Sequence, residues 1–178
     1  MIFDILTFTV IHTVISLAGI LAGLVVAGAL VSGRRLDGWT GLFLWTTVLT
    51  NVTGFMFPFT TLIASHYVGV VSLIILPVAM YALYGKHLAG GWRRIYVISA
   101  IMALYLNVFV LVVQLFRRIP ALLATAPKQN EPTFVVTQLL TLALFIWLGR
   151  AAVKGFAPAA VGVGGAVPAA ARPAGRMD

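Results

Sequence analysis

Only four of the 178 residues are acidic, Asp4, Asp37, Glu131 and Asp178, and all stand at the ends of apolar runs, in loops or in the C-terminal segment. Without a carboxylate deep in such a run, the chain lacks paired acid and base groups, an acidic proton relay and a carboxylate-held metal site. Proton-coupled transport and intramembrane aspartyl proteolysis are disfavoured on that ground. Cysteine is absent, which excludes disulfides, thiol redox catalysis, iron–sulfur ligation and covalent c-type haem attachment, and leaves the redox compartment open. Charge of any kind is scarce, at 9% of residues against 61% hydrophobic. No soluble core of this size hides that much apolar surface, so the expected solvent is lipid.

What is present is a series of five apolar runs, at about 3–32, 39–64, 67–84, 95–116 and 133–148. In hydrocarbon each backbone N–H and C=O must be paired, which leaves helices or a closed barrel. A spanning helix takes roughly 20 residues, a barrel strand roughly ten with strict alternation. These runs are long and do not alternate. The expected fold is therefore all-α, a polytopic transmembrane bundle of five spans forming one domain over residues 1–154. The first run lacks a preceding Lys or Arg and exceeds the core of a signal peptide, so it reads as a retained span despite the cleavage-like Ala27-Gly28-Ala29.

Ser65 and His66 are expected to form a tight hairpin between the second and third spans. Pro120, Pro127 and Pro132 break the connection between the fourth and fifth, with room for a short turn over Ala121 to Thr125. Residues 155–178 are rich in Ala, Pro and Gly, and disorder is their expected state.

Lys and Arg at the run ends set an orientation. With the N-terminus outside, nine fall inside (Arg34, Arg35, Lys86, Arg93, Arg94, Arg150, Lys154, Arg172, Arg176) and three outside (Arg117, Arg118, Lys128). N-out and C-in follows, with Trp39, Trp92 and Trp147 near inner span ends and a bacterial inner membrane as the expected location. The net charge of +8 is thereby assigned to topology and to the lipid bilayer, not to nucleic acid.

Helical spacing puts His12, Ser16, Gly19, Gly23 and Ala27 on one stripe of the first span. Gly19 and Gly23 suit close approach of another helix, inside the bundle or in a partner. Pro58 and Pro77 are each expected to free a carbonyl, those of Gly54 and Leu73, and to bend their spans. His12, Thr53, Gln114, Gln138 and Thr141 are expected at similar depth, with Asn51 and Asn107 near mid-membrane. Polar groups are costly in lipid and turn inward, so His12, Thr53, Asn107, Gln114, Gln138 and Thr141 are expected to converge. Two readings of that cluster stand: an interhelical hydrogen-bond network, or a small uncharged pocket.

Such a pocket suits a quinone or a lipid headgroup, because Gln, Asn, Thr and His hydrogen-bond carbonyls without formal charge. Haem b is a second option, with His12 and His66 as axial ligands, although a hairpin His66 would lie about two turns shallower than His12. His87 beside Lys86 reads as a solvated interfacial residue. Ser16 lies one turn from His12 with no orienting third group, which points away from catalysis. The expected function is a non-enzymatic accessory, assembly or ligand-binding bundle, with a redox subunit or an uncharged-solute channel or carrier as alternatives.

Overall fold

Gly33 ends the first helix in a specific way. Its positive φ of 71° lets Arg34 N–H donate to Ala29 C=O at 2.8 Å and Gly33 N–H donate to Leu30 C=O at 3.1 Å. That is the Schellman closure, which satisfies carbonyls a helix end would leave bare. Two other helices begin where proline permits, since Pro120 and Pro132 occupy first-turn positions whose N–H has no partner to lose. The structure, a computed structural model, describes residues 5–57 and 64–156. Among these, six α-helices follow one another: α1 (Ile5–Val31), α2 (Asp37–Phe55), α3 (Ala64–Met80), α4 (Trp92–Arg118), α5 (Pro120–Thr125) and α6 (Pro132–Gly155). A π-helical turn, Tyr81–Gly85, extends α3. No strand occurs among the described residues.

Four helical stretches are long and apolar enough to cross a membrane: Ile5–Val31, His66–Gly85, Trp92–Arg118 and Pro132–Gly155. Their outward faces are apolar, with Leu21, Leu140 and Trp147 each more than 60% exposed. Water would not tolerate such a surface over a whole bundle, whereas lipid does. These features are those of a multi-pass membrane protein.

The bounds of the second expected span are corrected. It stops at Phe55, well short of residue 64, and α2 does not join the four by length and composition. Its interior carries Thr46, Thr47, Thr50, Asn51 and Thr53, which lower its hydropathy. The helix has already ended before Pro58, and Pro58 itself lies outside the described residues, as do Thr61 and the segment 157–178. The expected hairpin at Ser65 and His66 is also corrected, since both belong to the first turn of α3. Pro77 sits inside α3, and the ladder widens one turn later, where Lys86 N–H reaches Tyr81 C=O at 2.9 Å. Beyond it His87 and Leu88 adopt positive φ, 48° and 59°. This unfavourable backbone is offset by what it delivers, because Leu88 is buried in the core. His87 is exposed.

Small residues set the α1–α2 contact. Side chains added at Gly19 would meet Thr46 at 2.9 Å, and at Gly23 would meet Leu104 at 2.5 Å and Phe43 at 2.9 Å. The stripe expected from the sequence is therefore filled by this chain's own α2 and α4. α4 is central, touching α1, α3, α5 and α6. It runs antiparallel to α6, with Phe116 against Phe134 at 5.3 Å and Tyr105 against Phe145 at 5.7 Å between ring centroids. At the far end Gly155 approaches the Val31 carbonyl so closely that no Cβ fits between them.

Candidate functional site

The first half of α1 carries a run of hydroxyls that mostly look after themselves. Thr9 donates to Ile5 C=O, Thr13 to Thr9 C=O and Ser16 to His12 C=O, at 2.7–2.8 Å. His12 reaches off the helix instead, its Nδ1 lying 2.7 Å from Thr53 Oγ1 on α2. Thr53 has one hydroxyl hydrogen, and the Leu49 carbonyl stands 2.6 Å from the oxygen to receive it. The imidazole is then the donor through Nδ1–H, and Nε2 is left with its lone pair. Phe57 closes edge-on against the ring at 5.1 Å, and Gly54 leaves room beside Cε1.

A second polar set ties three helices together. Asn51 Nδ2 donates to Thr47 C=O at 2.7 Å and to Ser72 Oγ at 3.1 Å, and Asn107 Nδ2 donates to Thr47 Oγ1 at 3.1 Å. Thr47 and Ser72 are almost fully buried. These bonds cross from α2 to α3 and from α4 to α2, so they fix how the three helices rotate against one another. Among the described residues neither amide carbonyl, on Asn51 or Asn107, accepts a hydrogen bond.

Between the two sets lies a cavity of about 580 Å³. His12, Asn51, His66, Ser72, Asn107 and Gln114 supply much of its polar wall, and Ile20, Phe55, Leu106, Val110 and Leu111 supply apolar area. The Gln114 amide makes no hydrogen bond among the described residues. Thr50 also lines the space, but its hydroxyl is sealed from it and has no partner among the described residues. Arg118 stands exposed at the rim, so the site is neutral inside with one cation at its mouth. Among the described residues no carboxylate lines it.

Of the residues expected to converge, the structure brings His12, Asn107 and Gln114 to one cavity, with Thr53 behind His12. Gln138 and Thr141 lie elsewhere. Gln138 is buried against α4, its Nε2 on Phe109 C=O at 3.2 Å and its Oε1 without a partner among the described residues, and Thr141 bonds the Thr137 carbonyl of its own helix. His66, expected in a shallower hairpin, instead sits in α3, buried, with Phe55 at 5.8 Å, and lines the same cavity as His12. Ser72 and Arg118 were not anticipated as lining residues. Ser72 is legible in hindsight as the only serine or threonine in the run 67–84. Among the described residues no group of three or more His, Asp and Glu is placed to hold a metal ion.

Comparison with protein-family models, with curated proteins and with solved structures finds no match.

Proposed function

We propose that this chain is a five-span, N-out and C-in membrane bundle of a bacterial inner membrane, whose cavity binds a small amphiphile with an apolar body and an uncharged polar end. Quinones are the class that suits it best. One observation carries the reading: a space of about 580 Å³ holds hydrogen-bonding groups without carboxylates, several of them uncommitted. Its size falls within the roughly 300–1,000 Å³ of ordinary ligand sites. The His12 Nε2 lone pair and the Asn51 and Asn107 carbonyls accept from a hydroxyl, and the Gln114 amide donates to a carbonyl. A quinone and its quinol present those two groups in turn. Nothing in the lining supplies a nucleophile with its base, which favours binding without catalysis.

The five-span reading takes α2 as a crossing helix despite its polarity. Its 19 residues reach about 28 Å, close to the hydrocarbon thickness. Its buried face, Thr40, Thr47 and Asn51, is turned to other helices. Cysteines introduced at Ala89 and Lys128 report the orientation cleanly, because the chain has none of its own. Lys128 is expected to label from the periplasmic side and Ala89 from the cytoplasmic side, and labelling of both from one side rejects the topology.

A second reading has its own observation. His12 and His66 line one cavity, and Thr53 orients the His12 ring as a ligand imidazole is usually oriented. Haem b between them is the alternative. An absorption spectrum of gently purified protein separates the two, since haem gives a Soret band with reducible α and β bands. Copurified quinone with no such bands, lost in His12→Ala while the melting transition persists, supports the first reading. Absence of both ligands rejects both.

A further inference from the structure

Three of the basic residues that set the orientation stand together beside a groove that the cavity does not use. We infer that the cleft between α4 and α6 seats one anionic phospholipid, with an acyl chain along its apolar floor and the phosphate on Arg94, Arg150 and Lys154. The cleft has a volume of about 500 Å³ and is lined by these cations together with apolar residues such as Ile98, Met102 and Leu142. Arg150 and Lys154 are four apart on α6, hence on one face. Arg94 belongs to α4, which runs antiparallel, so all three meet at one end of the groove.

Among the described residues these cations are otherwise unengaged. Arg35 pairs with Asp37, Lys86 lies over the Tyr81 and Trp92 rings, and Arg93 lies over Phe156 at 5.1 Å. Arg94, Arg150 and Lys154 are exposed and make no ion pair among the described residues. Glu131, the other described carboxylate, accepts hydrogen bonds from Lys128 and Asn130 N–H in the connection to α6. Three adjacent cations with no carboxylate among the described residues beside them call for an anion, and the groove continues from them between two helices. Arg94 to Tyr105 covers twelve residues, with a rise of about 16 Å along the helix, close to half of a bilayer core. Gly149 keeps the floor open, with only the Ile101 methyl 3.5 Å from where a Cβ would stand. Basic pockets between spanning helices are suited to anionic headgroups, and a free anion would make no use of the apolar length.

Native mass spectrometry of the full chain in neutral detergent, with dioleoylphosphatidylglycerol and dioleoylphosphatidylcholine added in parallel, tests this. The expected result is a retained phosphatidylglycerol adduct that falls on the order of a hundredfold in R94Q/R150Q/K154Q, while the phosphatidylcholine adduct is unchanged. The charge-matched R34Q/R117Q/K128Q is expected to keep the adduct, and an equal loss there would reduce the effect to overall charge and overturn the proposal. Gly149→Phe fills the groove and leaves every cation in place, so it is expected to lose the lipid too. Retention in that variant, or displacement of the lipid by millimolar inorganic phosphate, identifies a bare anion site and also overturns it. Melting curves accompany each variant, and the two disruptive variants act through independent residues, so misfolding of one leaves the other decisive.

Discussion

The two ends of the bundle are built from the same helices and packed in opposite ways. At the end where α1 and α6 terminate, small residues lie at the contacts: Gly23 against Phe43 and Leu104, Gly155 against the Val31 carbonyl. The helices meet closely there, and the hydrophobic core is concentrated in that half, with Ala22, Leu30, Leu44, Ala79, Tyr96 and Ala152 all buried. At the other end the same α1–α2 seam carries His12 against Thr53, and Phe8 against Phe57 at 4.8 Å. Larger groups stand at the contact there, α2 ends at Phe55, and the cavity lies beside them. One seam thus makes a sealed core at one end and a polar hollow at the other. The size of the contact residue decides which.

The strongest test of this contrast is Gly23→Leu. Its added atoms meet the Leu104 and Phe43 side chains inside contact distance, and a loss of about 3 kcal/mol is expected, read as a lowered melting transition in detergent. Tolerance of leucine there would erase the distinction between the ends.

Thr47→Val probes the boundary between them. It removes the acceptor of the Asn107 amide, and about 1 kcal/mol of stability is expected to go with it. A double-mutant cycle with Asn107→Leu should give less than the sum of the single losses, because both delete the same bond. Additivity would show that the two side chains do not cooperate.

Ser16→Leu carries a similar gain of bulk into the open end, where Ser16 lines the cavity. A stability change within about 0.5 kcal/mol is expected, with loss of copurified ligand. A cost approaching that of Gly23→Leu would mean the open end is as tightly packed as the closed one.

The smallest effect concerns the connection that rims the open end. Desolvation opposes ionisation of Glu131, but the backbone N–H groups of Lys128, Asn130 and Glu131 itself outweigh it and hold the carboxyl below its ordinary 4.5. A depressed folded value means that its ordering of the loop is intact above pH 4.5 and is lost as pH falls through the folded value. Amide shifts of Lys128 and Asn130 are expected to titrate in that acid range and to stay flat in Glu131→Gln. Titration that survives the substitution would assign the loop's acid response to another group.

Much of this was legible from residue order. Scarce charge and long apolar runs specify helices in lipid, because hydrocarbon leaves the backbone no other way to pair its polar groups. Pro120, Pro127 and Pro132 mark the break between the fourth and fifth runs, and His12, Gly19 and Gly23 mark one packed face of α1. The rest depended on how whole helices rotate and where they stop. Each residue turns a helix by about 100°, so spacing tells which residues share a face but not what that face meets. Gln138 and Thr141 do lie one turn apart, yet the Phe116–Phe134 and Tyr105–Phe145 pairs fix α6 so that Gln138 meets an α4 carbonyl. His66 was read as a hairpin residue, whereas it lies in the first turn of α3, a start that no local signal at Ser65 records. Sequence determined the solvent, the helices and the polar residues that must turn inward. Only the tertiary structure decided which of them share a cavity, because helix rotation and separation are fixed by the side chains at each contact.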